Sequence, residues 1–167
     1  MISTFASTLE KSMRHCIRLA KQAANSGNYA LGALVVMNGK VVSESGSCLI
    51  GDDNDPSAHP EMTVIRAAAR KLRSRYLPGA FLVTTLEPCP MCAAAAIWAK
   101  MAGIAFGATQ DDAIAWAAEN PDKIYTWRQI QIPAGTVLAA GRPRLVLEEG
   151  VLRSECRKLF ALSNSYG

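Results

Sequence analysis

No apolar run in this chain is long enough to cross a bilayer. The longest, residues 91–99, is about half of the roughly 20 residues that a membrane helix requires. The opening Met1-Ile2-Ser3-Thr4-Phe5 lacks both a basic stretch and an apolar stretch, so no secretory leader is read and a cytoplasmic protein is expected. Internal repeats, low-complexity tracts and linkers are also missing, which leaves residues 1–167 as a single domain. Neither sign of charge is in large excess: the formal net charge of +4 is compatible with a nucleic-acid partner without diagnosing one. A composition that is 50% hydrophobic and 19% charged excludes disorder. A chain of this length buries roughly two-thirds of its unfolded surface, so it has no need of disulfide staples. The five cysteines are an odd number where no leader is read, and metal binding or catalysis is expected to explain them better than a disulfide framework.

The periodicities that are present alternate between helix and strand. Ser7-Thr8-Leu9-Glu10 reads as a capping box opening a helix whose apolar positions, Leu9, Met13, Cys16, Ile17 and Ala20, recur at helical spacing, and Asn25-Ser26-Gly27 ends it. The runs 34–37 and 40–43 flank Asn38-Gly39, a hairpin signal because both turn residues tolerate positive φ. A polar loop at 51–57 leads to a helix near His59, with Met62, Ile65, Ala68, Ala69 and Leu72 as its buried stripe. Residues 80–86 read as a buried strand, and a second helix runs from Cys89-Pro90 to Lys100. A short strand at 103–107, a helix at 113–119, a strand at 144–147 and a final helix at 148–162 complete the order. Strands alternating with helices imply a sheet covered by helices on its faces.

Two segments carry chemistry: His59-Pro60-Glu61 and, about thirty residues later, Pro88-Cys89-Pro90-Met91-Cys92. Both fall at expected helix starts, where proline is tolerated because a first-turn N–H has no helical partner. Cysteines three apart share one helix face, and a helix N-terminus favours thiolate over thiol. Two thiolates and an imidazole suit zinc, and three protein ligands leave one tetrahedral position for water, the arrangement of a catalytic site. Zinc lowers the pKa of such a water toward roughly 7. Glu61, two residues from His59, is placed to carry protons. The competing reading is a structural zinc site, which requires a fourth protein ligand. The remaining Cys and His residues, His15, Cys16, Cys48 and Cys156, have no pairing spacing with these motifs.

The H-x-E…P-C-x-x-C pattern resembles that of zinc nucleobase deaminases, and the chain resembles the cytidine-deaminase-like superfamily over residues 28–160. The closer likeness is to the branch holding guanine deaminases and bacterial tRNA adenosine deaminases: residues 55–61 (DPSAHPE) resemble its D-P-T-A-H-A-E, and residues 86–92 (LEPCPMC) its L-E-P-C-P-M-C. The resemblance implies a three-layer α/β/α sandwich around a five-stranded mixed sheet. It also implies one zinc held by His59, Cys89 and Cys92, Glu61 as proton shuttle, and hydrolytic release of ammonia from an amino-substituted ring. A homodimer is the implied assembly.

The same resemblance bears on the substrate. Residues 96–100 (AIWAK) resemble I-Y-W-A-R of guanine deaminases, which marks Trp98 as a substrate-facing candidate against ordinary core packing. Asp111-Asp112 and Glu119-Asn120-Pro121 resemble an acidic segment that brings a second carboxylate to the pocket. Asp112 is thereby a substrate-binding candidate and Glu119 a catalytic one, against the alternative of an exposed helix-end carboxylate. Trp116 and Trp127 either close over a flat ring or pack. The branch has a substrate-binding asparagine where this chain has Cys48, so that contact passes to Cys48 itself, to Asn54 or to another group. A further alternative has Cys48 approaching the metal and closing its fourth position. Residues 150–156 (GVLRSEC) resemble a tRNA adenosine deaminase segment, but the chain ends ALSNSYG without the basic cluster those enzymes use on phosphates. The expected substrate is therefore a small amino-substituted nucleobase or nucleoside, guanine-like, with a flipped tRNA anticodon base as the alternative.

Overall fold

A computed structural model describes residues 2–46, 55–121 and 130–163, with side chains from residue 5 onward. The element order is α1 (Ile2–Asn25), β1 (Gly32–Met37), β2 (Lys40–Gly46), α2 (Pro60–Leu72), β3 (Ala80–Leu86), α3 (Pro90–Trp98), β4 (Gly103–Ala108), α4 (Gln110–Glu119), α5 (Ala134–Ala140), β5 (Val146–Glu148) and α6 (Arg153–Arg157), then a 3₁₀ turn at Phe160–Leu162. The five strands form one mixed sheet in the order β2-β1-β3-β4-β5, antiparallel from β2 to β3 and parallel from β3 to β5.

Strand pleating sorts the apolar side chains onto two faces. Val35, Leu82 and Ile104 are neighbours in register, and they join Val64, Ile65 and Ala68 of α2, Ala93 and Ala96 of α3, and Leu138 of α5 in one core. Their sequence neighbours Leu34, Val36, Val83 and Ala105 face the other way, into a second core with Leu9, Met13 and Cys16 of α1, Ala113 of α4 and Cys156 of α6. Helices thus cover both faces, as the three-layer expectation required. Among the described residues no helix is long and apolar enough to cross a membrane.

The hairpin forms at Asn38 and Gly39, with φ of 51° and 72°. Three expectations need correction. The helix α1 begins at Ile2, so the Ser7-to-Glu10 pattern lies inside it and is not its start. The buried stripe of α2 is Glu61, Val64, Ile65 and Ala68, while Leu72 is exposed. Leu72 shares that face but is the last residue of the helix, while Glu61 at its start is turned inward. The last helix is much shorter than 148–162: Glu148 is held by the β4–β5 ladder, and the positive φ values of Gly150 (74°) and Leu152 (52°) break the chain before α6. Helix α5 was not expected, since its AGTVLAA sequence has no strong amphipathic pattern.

The approach of α1 to β1 depends on glycine. A Cβ at Gly32 would lie 2.2 Å from the carbonyl oxygen of Cys16 and 3.0 Å from the amide nitrogen of Ala20, both backbone atoms of α1. Gly32→Ala is expected to destabilise by roughly 1–3 kcal/mol, the usual cost of overpacking a tight contact. Urea unfolding is the measurement, and an unchanged midpoint would contradict this packing.

Candidate metal and catalytic site

The first residues of α2 and α3 meet beyond the carboxyl ends of β2 and β3, the edge at which α/β sheets commonly place ligands. His59 and Cys89 are the N-cap residues of these helices. Both have extended backbones (φ −61°, ψ 147° and φ −67°, ψ 166°) and neither makes a side-chain capping bond, so the imidazole and the thiol turn toward one another. Pro60 and Pro90 follow as the first helical residues. Cys92 is one turn into α3 and fully buried.

The three donor atoms form a near-equilateral triangle. His59 Nδ1 lies 3.6 Å from Cys89 Sγ and 3.6 Å from Cys92 Sγ, and the two sulfurs are 3.5 Å apart. A tetrahedral zinc, with Zn–S about 2.3 Å and Zn–N about 2.0–2.1 Å, spaces its ligands roughly 3.6–3.8 Å apart. The residues therefore fit a zinc ion. Among the described residues this is the one His, Cys, Asp and Glu group so arranged, and its three donors match the count of a catalytic rather than a structural site. The contact with Cys92 holds the Cys89 thiol down at about 4, with His59 contributing, while the same contact and burial push Cys92 up.

Glu61 lies beside the triangle, 5% exposed, with its Oε2 3.7 Å from Cys92 Sγ. Its Oε1 accepts a 3.1 Å hydrogen bond from the Thr84 hydroxyl of β3. Burial raises the Glu61 pKa, partly countered by His59. A buried carboxylate with a raised pKa next to a metal-fitting triad is a candidate proton carrier. Sequence reasoning missed Thr84, because no spacing rule links it to a residue 23 positions away.

The other expected site residues are not brought to this cluster by any described contact. Cys48 and Asn54 lie outside the described residues, as does Trp127, so the readings placed on them concern segments that are not described. Trp98 is at the far end of α3 from Cys89 and 77% exposed, so the core-packing reading does not hold. It lines a surface groove of about 430 Å³ with Tyr76, Ile97, Lys100, Val137 and Arg142. Glu119 is exposed at the end of α4. Trp116, on the same helix, packs near Phe160, 6.1 Å between ring centroids. Asp112 is buried and engaged within the chain: with Thr109 it forms the α4 capping box, and it accepts bonds of 2.8 and 2.9 Å from Arg153.

A three-layer α/β/α fold with a His/Cys/Cys triad and a buried glutamate at the sheet edge defines the class of mononuclear zinc hydrolases that deaminate rings. Residues 6–108 match the cytidine and deoxycytidylate deaminase zinc-binding region, and the chain belongs to that family. The guanine deaminase of Bacillus subtilis is 33% identical over 75% of this chain and 78% of that protein. A tRNA-specific adenosine deaminase of the same organism is 38% identical over 59% of this chain and 61% of that protein. A solved structure from a study of tRNA:A34 deaminases superposes with a TM-score of 0.69 at 28% identity, covering 89% of this chain and 98% of that one. The chain spans only 26% of the tRNA(Ile)-lysidine synthase of Deinococcus deserti, to which it is 33% identical over 84% of its own length.

Asp112 supplies a pH test of its structural engagement. Hydrogen bonding from Arg153, joined by Thr109, lowers its pKa from 3.8 to about 2. A depressed carboxylate stabilises the fold above the unfolded pKa and loses that contribution as pH falls through the folded value. Wild type should exceed Asp112→Asn by about 1–2 kcal/mol at pH 6, with the gap closing between roughly pH 4 and pH 2. A gap constant with pH, measured by denaturant unfolding, would contradict the ion pair.

Proposed function

We propose that the chain is a zinc-dependent hydrolytic deaminase of a small amino-substituted nucleobase or nucleoside, guanine-deaminase-like in its choice of substrate. The observation that carries this reading is the buried Glu61 carboxylate beside the His59, Cys89 and Cys92 triangle. When bound, zinc acts as a Lewis acid that makes water a nucleophile near neutral pH. His59, Cys89 and Cys92 would hold it. Glu61 takes the proton that the water loses as it adds to the amine-bearing ring carbon. It passes that proton to the ring nitrogen, then takes the second water proton from the hydroxyl now on the attacked carbon and gives it to the departing amine, so that ring amine and water become ring carbonyl and ammonia. Thr84 keeps one Glu61 oxygen hydrogen-bonded, which fixes the carboxylate on its buried side.

Several observations favour a small substrate over RNA. Arg66 pairs with Asp55 at 3.5 Å and Arg153 with Asp112 at 2.8 Å, so two of the cations available for phosphates are engaged inside the chain. The 150–156 segment has a packing role: a Cβ at Gly107 would lie 2.2 Å from Cys156 Sγ, which shows how closely α6 seats on β4. The alternative, a tRNA adenosine deaminase, is favoured by the 38% identity to the Bacillus subtilis enzyme of that kind. A homodimer would draw on the outer side of α3, where Trp98 is exposed while Cys92, Ala93, Ala96 and Ala99 face the chain's own core.

Glu61→Gln should lower ammonia release from the preferred base by about 10²-fold or more while zinc content stays near one per chain. Unchanged release would refute the assigned proton carrier. Guanine, guanosine and related aminated rings should be turned over, and tRNA binding should be weak with a shallow salt dependence. Tight tRNA binding that falls steeply with salt would instead select the tRNA reading.

A further inference from the structure

We infer that Glu87 is the positioning residue of the metal centre: its carboxylate ties the strand end that carries Cys89 to the starts of two helices on opposite faces of the sheet. Glu87 is 5% exposed and stands two residues before Cys89. Its backbone N–H donates to Ala108 O at 2.8 Å, extending the β3–β4 ladder beyond Leu86. Its Oε2 accepts the N–H of Gln110, the first residue of α4, at 2.8 Å. Its Oε1 accepts the N–H of Ala134, the first residue of α5, also at 2.8 Å.

Both partners are first-turn amides, which have no acceptor within their own helices. Helix α4 packs in the core containing α1, and α5 in the core containing α2 and α3, so one side chain joins both layers at the edge where the triad sits. Only a carboxylate presents two acceptor oxygens here. Glutamine would turn an NH₂ toward one of the two N–H groups, and aspartate is one methylene too short to reach both. Either change leaves a buried amide without its acceptor and frees the Glu87–Cys89 step to shift. Cys89 makes no capping bond of its own, so this anchor and the helix that follows fix the direction of its sulfur.

The inference rests on the zinc reading of the site, and the experiment separates the two. Zinc affinity is measured by chelator competition on wild type, Glu87→Gln, Glu87→Asp and Leu9→Ala, with a thermal melt of each metal-free protein. Leu9 of α1 is buried in the second core, so Leu9→Ala serves as a destabilised control that leaves Glu87 and the triad unchanged. Outer hydrogen bonds that orient ligands typically change metal affinity 10–100-fold. Glu87→Gln should therefore weaken zinc at least 10-fold relative to Leu9→Ala and shift the visible absorption of the cobalt-substituted protein. If Glu87→Gln does not fold, Glu87→Asp carries the same comparison. Equal zinc affinity and an unshifted cobalt spectrum in the Glu87 variants would overturn the inference and leave the zinc reading intact. Absence of zinc binding by wild type would overturn both.

Discussion

An imidazole and two thiols can share one small volume only if something offsets their mutual crowding and their burial. Here that volume lies where two helices begin: His59 and Cys89 stand at the N-caps, and Cys92 lies in the first turn of the second helix. His59 and Cys89 are both N-cap residues, and both are followed by a proline that makes the helix start at that residue. The contact between the two thiols lowers the pKa of Cys89 and raises that of Cys92, so the pair favours sharing one negative charge. A divalent cation is the natural partner of such a cluster, because folding has already collected its ligands.

The sheet serves this meeting point. The turn of α2 that brings His59 to the triangle also directs Glu61 inward and onto Thr84 of β3. The same helix is tied to the edge strand β2: Ser43 donates to Val64 O at 2.7 Å, and Lys71 donates to Val42 O at 2.9 Å. Helix α2 is thus docked along its length, and its N-terminus has little freedom to drift. The chain's second core, built from α1, α4 and α6, supports the sheet from behind.

Much of this was legible in the sequence. The Asn38-Gly39 turn, the strand at 80–86 and the paired H-x-E and P-C-x-x-C motifs depend on local chemistry, and each stands where that chemistry placed it. What was not legible depends on tertiary contact. The stripe of α2 takes in a carboxylate, Glu61, which hydrophobicity alone would place outside, and Leu72, on the same face but the last residue of the helix, is left exposed. Trp98 looks like a core residue by composition, yet small alanines fill the inner side of α3 and leave it outside. Asp112 reads as a ligand-facing acid, but Thr109 and Arg153, the latter 41 residues away, engage it within the chain. Thr84 and Glu87 act through partners that no spacing pattern connects to them.

The central claim is that one zinc ion sits among His59, Cys89 and Cys92 with no further protein sulfur. X-ray absorption at the zinc edge of the purified protein tests it directly. The account predicts about two sulfurs near 2.3 Å and two lighter neighbours near 2.0–2.1 Å. Three or four sulfurs around the ion, or none, would contradict it.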